Sequence, residues 1–277
     1  MCPSDTLKAL ANPELCRRHF LKASLGVAAA VGAMATEAVE AAPVRQHGFN
    51  KVQDLTHVLG PQFPLFPGAP STFQVNPVVS HAKDGYYGSV LTYWEHSGTH
   101  MDAPIHFSAN GLFVDQIPVS SLVVPAVVIN IAERAARDPD TVVTPDDIRA
   151  WERRYGRVPK NAAILMASGW GARAGSVEAF RNSDSSNVMH FPGFGKAAIE
   201  FLLSERQIAG IGVDTLSLDH GPSADFAVHF GLLSTNRWGL ENLANLEAIP
   251  PSGATLVVGA PKVASGSGGP SRVMALW

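Results

Sequence analysis

The apolar positions of this chain fall into short runs separated by polar, glycine- and proline-rich segments. Pro125–Ile131, Ala162–Ala167 and Ile208–Val213 are nearly continuous apolar stretches, the length and texture of strands buried on both faces. Between them the period changes. Thr144-Pro145-Asp146-Asp147 opens a helix that runs to about Tyr155. Thr144 suits the N-cap, Pro145 the first turn, and Asp147 the positive end of the helix dipole. Gly195–Arg206 places Ala198, Phe201 and Leu202 on one face and predicts a second helix. Lys51–Val58 and Ser89–Trp94 read as earlier strands, Ala254–Val258 and Arg272–Leu276 as the last two. Gly60–Pro77 carries five prolines and reads as a long surface loop, with Phe63, Leu65 and Phe66 available to close over a site. Strands and helices alternate, and the first part is richer in strand. The expected architecture is one α/β domain with a mixed β-sheet.

Composition narrows the function. Of 277 residues, 46% are hydrophobic and 16% charged, and the net charge is -3. This is a globular composition with no basic patch for nucleic acid and no charged tail. Residues 1–42 read as an address. Arg17-Arg18 followed by Phe20-Leu21-Lys22 precedes the small-residue apolar run Ala23–Met34, the layout of a twin-arginine signal. That run is too short and alanine-rich for a membrane anchor. Val39-Glu40-Ala41-Ala42 offers cleavage after Ala41 or Ala42. The expectation is a mature domain of residues 43–277, periplasmic or secreted, delivered by the twin-arginine export machinery. Cys2 and Cys16 precede the cut, so the mature domain would have no disulfide, thiolate ligand or cysteine nucleophile.

The candidate chemistry is concentrated in Glu95–His106, where His96, His100, Asp102 and His106 are all even-numbered. An extended chain would point them to one face, but a straight strand separates the Cα atoms of His96 and His100 by about 13 Å. A continuous helix is weakened by Gly98 and interrupted by Pro104. What remains is a strand that bends at Gly98-Thr99 and ends near Pro104. Two imidazole nitrogens and a carboxylate then converge, a set that suits zinc, manganese or iron(II). A second polar stretch, Asp214–His220, follows a strand end, where sites of α/β folds collect. Asp214 and Asp219 suit orienting a histidine or capping a turn. His47, His57, His81 and His190 carry no spacing signal and read as surface residues. No G-x-S-x-G elbow or phosphate loop is present, and Ser265–Pro270 reads as a flexible loop available to line the site.

The run His96-Ser97-Gly98-Thr99-His100-Met101-Asp102-Ala103-Pro104-Ile105-His106 resembles the H-x-G-T-H-x-D-x-P-x-H signature of the cyclase family of metal-dependent hydrolases, which includes bacterial kynurenine formamidases and isatin hydrolases. Every fixed position is filled, and the resemblance extends from about Gln53 to the C-terminus. It implies the swivelling β/β/α fold and a homodimer. It also implies hydrolysis of an amide or cyclic amide bond in a small aryl formamide or isatin-like substrate, with one or two Mn²⁺ or Zn²⁺ ions. A histidine and a glutamate further along complete the family's metal site, which points to His229 and Glu241 beside His96, His100 and Asp102. The resemblance makes His106 the catalytic base, a role suited to histidine near neutral pH; a further metal ligand is the alternative. Trp94, Phe63, Phe66 and Trp170 are candidates for an aromatic pocket. The competing class is a periplasmic metal-binding protein without hydrolase activity, which would need no histidine outside the coordination shell.

Overall fold

The apolar runs assemble into a nine-stranded mixed sheet. The structure, a computed structural model, describes residues 48–70 and 73–277. The expected export signal, its cleavage point and His47 lie outside the described residues. The sheet strands are β1 (Val52–Asp54), β4 (His100–Asp102), β5 (Val123–Asn130), β7 (Ala162–Ala167), β9 (Ile208–Val213), β10 (Trp238–Glu241), β11 (Thr255–Gly259), β12 (Gly268–Pro270) and β13 (Arg272–Leu276). Two pairs stand outside it, β2 (Gln74–Val79) with β3 (Gly88–Thr92) and β6 (Val142–Val143) with β8 (Gly193–Phe194). Order across the sheet is β1-β13-β11-β5-β7-β9-β10-β4-β12. The central strands β5, β7, β9 and β10 are parallel, and those on both flanks are antiparallel.

The helices are α1 (His81–Asp84), α2 (Ala132–Ala135), α3 (Pro145–Tyr155), α4 (Val177–Arg181), α5 (Lys196–Glu205) and α6 (Ala227–Leu233). Alternation along β7 explains how both sheet faces are buried. Ile164 and Met166 point towards Ile148 and Trp151 of α3, Ala198, Ile199 and Leu202 of α5, and Val228 and Leu232 of α6. Ala163 and Leu165 point the other way, into a cluster with Leu256, Val273, Leu240 and Met101. Thr144 is the expected N-cap of α3, and Asp147, expected there for the helix dipole, also closes a capping box. Asp147 N donates to Thr144 Oγ1 at 3.3 Å, and Thr144 N donates to Asp147 Oδ2 at 2.8 Å, satisfying two otherwise orphaned N–H groups.

Four expectations are corrected. The first strand spans only Val52–Asp54, because the chain then leaves the edge of the sheet; Thr56 makes one isolated bridge, to Leu243. The proline-rich loop ends sooner than Pro77, which lies inside β2; a two-stranded ribbon is all edge and tolerates a residue with no N–H. The strand expected over Ser89–Trp94 is β3, which ends at Thr92 and belongs to that separate ribbon. The histidine run rests instead on β4, paired on both sides. Gly268–Pro270, expected to be loop, is one of the two strands that pair with it.

Candidate metal centre

Strand register builds the site. β4 lies between β10 and β12, with Glu241 opposite His100 and both Gly239 and Gly268 opposite Asp102. Residues directly opposite on paired strands share a face. Glu241 therefore joins His100 and Asp102, while Met101 and Leu240 between them enter the core. Before β4 the chain turns at Gly98, whose φ of +65° is left-handed and favours glycine. This is the expected bend, and it folds His96 back over Asp102. A Cβ at Gly268 would lie 2.9 Å from His96 Cε1 and closer still to the Met101 carbonyl, so only glycine admits the ring there. After β4, Pro104–His106 makes one 3₁₀ turn. That turn stacks the His106 ring on His96, with centroids 3.7 Å apart and planes at 20°. His229 arrives from α6.

All six sequence-derived candidates meet. Asp102 Oδ1 faces His96 Nδ1 at 2.7 Å and His100 Nε2 at 3.2 Å, and its Oδ2 faces His229 Nε2 at 3.3 Å. Glu241 closes the ring, with Oε2 3.4 Å from His100 Nε2 and Oε1 3.1 Å from His229 Nε2. Donors about 2.1 Å from one ion in a tetrahedral site stand about 3.4 Å apart, so these separations suit a shared ion. Two overlapping donor sets can be drawn, His96–Asp102–His106 and His100–Asp102–Glu241.

The outer nitrogens fix the tautomers. His100 Nδ1 lies 2.9 Å from the Gly98 carbonyl, which can only accept, so Nδ1 carries a proton. His229 Nδ1 donates in the same way to Asp219 Oδ2 at 2.6 Å. Both Nε2 atoms are left facing carboxylate oxygens. Lone pair against lone pair is repulsive unless a proton or a cation lies between. His100 Nε2 and Asp102 Oδ2 are buried with no hydrogen-bond partner among the described residues. Orphaned acceptors at the centre of a nitrogen- and oxygen-donor ring fit a divalent cation.

The charge balance agrees. Burial resists the charged form of His100, but Asp102 and then Glu241 overcome it and push the imidazole up to about 9. His229 is raised well above its usual value, burial being outweighed by Asp102, Asp219 and Glu241. Burial also opposes the Asp102 anion, which the surrounding histidines hold well below the usual carboxylate range. His106 goes the other way: burial pushes it down to about 4 against the pull of Asp102.

Over this ring lies a cleft of about 250 Å³ lined by Phe66, Trp94, Phe107, Leu216 and Phe226 beside His106. Phe66 and Trp94 were legible in advance. Phe63 instead packs on His57 and Phe180, and Trp170 is buried with its indole N–H on the Phe180 carbonyl. Phe107 and Phe226 were missed, although Phe107 directly follows the signature. Asp219 orients His229, as one of its anticipated roles requires. Asp214 takes the other role and holds a turn, accepting from Ser168 N, Ser168 Oγ and Trp170 N. His57, expected at the surface, has its Nε2 buried.

The sequence model of the Cyclase family matches residues 53–220. The chain belongs to the Cyclase family. It is 36% identical over 242 residues to the isatin hydrolase of Roseibium aggregatum, an alignment covering 82% of this chain and 91% of that protein. Identity to the kynurenine formamidase of Salinibacter ruber is 26% over 185 residues, covering 65% and 74%. The crystal structure of an isatin hydrolase bound to the product analogue thioisatinate superposes with a TM-score of 0.78 at 34% identity, covering 82% of this chain and 92% of that one. The expected mixed α/β single domain thus has a solved counterpart. The family and these relatives make the chain a metal-dependent hydrolase of carbon–nitrogen bonds other than peptide bonds.

Proposed function

We propose that this enzyme hydrolyses the amide bond of an aryl formamide or an isatin-like cyclic amide, with Mn²⁺ or Zn²⁺ as its ion. The observation that carries the reading is the pair of inward Nε2 atoms, His100 and His229, facing the Asp102 and Glu241 carboxylates on the floor of an aromatic cleft. His96, His100, Asp102, His229 and Glu241 would hold one ion, or two sharing Asp102. A bound divalent ion supplies Lewis acidity, polarising a carbonyl and acidifying water.

His106 is neutral at pH 7, because its burial disfavours the cation. It lines the cleft, and no hydrogen bond from the described residues holds its ring. It takes a proton from the attacking water and returns it to the leaving nitrogen as the C–N bond breaks. Phe66, Phe107, Phe226 and Trp94 offer faces and edges to a flat ring. The relatives' names support both substrate classes.

The Arg17-Arg18 segment supports twin-arginine export to the periplasm or beyond. The β2–β3 ribbon exposes Val75, Val78, Tyr86, Tyr87, Val90 and Leu91, which supports a homodimer that covers them. The test of function is a panel of aryl formamides and cyclic aryl amides, assayed with Mn²⁺, with Zn²⁺ and after chelation. Turnover that needs the ion is expected. A metal-loaded protein inert towards the whole panel would reject the substrate assignment.

A further inference from the structure

His100 and His229 each present an outer N–H directly to an acceptor. His96 differs. Its Nε2 lies 3.0 Å from Ser267 Oγ, and a hydroxyl can either donate or accept. What Ser267 does is decided by Glu95. Ser267 Oγ donates to Glu95 Oε2, and the Ser267 backbone N–H donates to the same oxygen at 3.1 Å. The hydroxyl's one hydrogen is thereby taken, so its oxygen can only accept from His96. Nε2 must then carry the imidazole proton, and Nδ1 turns its lone pair towards Asp102 Oδ1 at 2.7 Å.

The cradle is built rather than fortuitous. Ala103 N donates to the Ser267 carbonyl at 2.9 Å, extending the β4–β12 pairing by one residue and fixing Ser267 opposite the ring. Gly268 is the residue the His96 ring lies against. A Cβ at Gly266 would stand 3.1 Å from Glu95 Oε1, so two glycines flank the serine where the chain passes the ring and the carboxylate.

We propose that Glu95 and Ser267 are positioning residues that act through His96, locking the tautomer that leaves Nδ1 free to ligate. The proposal rests on the metal-dependent reading above. Without Glu95 the hydroxyl is free to rotate and donate to Nε2. His96 would then carry its proton on Nδ1, give it to Asp102, and have no lone pair for an ion.

The test is calorimetric titration of the full chain, stripped by chelation, with Mn²⁺ and separately with Zn²⁺. Loss of an outer-shell partner of a metal-ligating histidine costs about 10–100-fold in affinity. Glu95→Ala and Ser267→Ala should each weaken the ion by that factor. The double variant should be no weaker than either single, because both break the same chain. Ser267→Thr, which keeps the hydroxyl, should restore most of the affinity. Wild-type affinity in both alanine variants, or additive losses in the double, would overturn the positioning role while leaving the metal reading intact. A wild-type chain that binds neither ion would overturn both.

Discussion

Asp219→Ala is the sharpest perturbation the structure offers, because one carboxylate does two jobs. Its oxygens accept from the backbone N–H groups of Val228 and His229 at 2.9 and 3.1 Å, and from His229 Nδ1 at 2.6 Å. The first two bonds cap α6, whose own N-cap residue, Phe226, supplies no side-chain cap. The third sets the tautomer of a candidate ligand. Relaxation cannot compensate. A Cβ on Gly193 would stand 2.3 Å from His220 N, so β8 presses directly on the Asp219-His220 backbone and holds it in place. Losing the cap costs about 1–2 kcal/mol, and leaving the buried ring N–H unpaired adds about 1–3 kcal/mol. A total near 3 kcal/mol lowers the melting temperature of a domain this size by about 6–12 °C. Calorimetry on the chelated variant measures that term. A Mn²⁺ titration on the same sample measures the other, a loss of about 10–100-fold in affinity. Asp219→Asn keeps one accepting oxygen and should fall between wild type and alanine on both scales. An alanine variant that melts lower but binds Mn²⁺ within about twofold of wild type would refute the link between the cap and the site.

Three further outcomes are expected. His106→Ala should retain its ion by elemental analysis and lose about 10²–10⁴ in kcat; loss of the ion would make His106 a ligand instead. The chelated protein should lose stability as pH rises. His100 is raised from 6.5 to about 9, so its contribution is complete below pH 6.5 and gone above 9, worth about 3 kcal/mol. Melting temperatures of the chelated protein across that window read the fall, and metal-loaded protein should show no such fall, because a ligating imidazole holds no proton to lose. Replacing Arg17 and Arg18 by Lys should leave precursor in the cytosol by fractionation, and normal export of that variant would reject the twin-arginine reading.

The legible parts of this protein are those that depend on neighbours in sequence. Thr144 and Asp147 cap their own helix, and Ala162–Ala167 and Ile208–Val213 are buried whatever strand lies beside them. The histidine run could be read because its chelating geometry is set within eleven residues by Gly98 and Pro104. The strand carrying Glu241 could not, since Trp238–Glu241 is short, holds Gly239, and is buried throughout rather than alternating. β12 was hidden for a related reason. Its glycines look like loop, yet glycine is what lets a strand lie under the His96 ring. Ser267 could be read only as part of a loop available to line the site, and Glu95 not at all, because their roles exist only once β12 pairs with β4.

That pairing has a kinetic consequence. β4 carries His100 and Asp102, and both of its partners come late in the chain, β10 at Trp238–Glu241 and β12 at Gly268–Pro270. Contacts this distant form slowly, after the intervening chain has been ordered. A growing polypeptide therefore displays its signature histidines to the ribosomal exit long before it can enclose an ion with them. Glu241 and the Ser267 cradle are made more than a hundred residues after β4. Truncation ahead of β12 would therefore yield a chain that has every signature residue and no finished site.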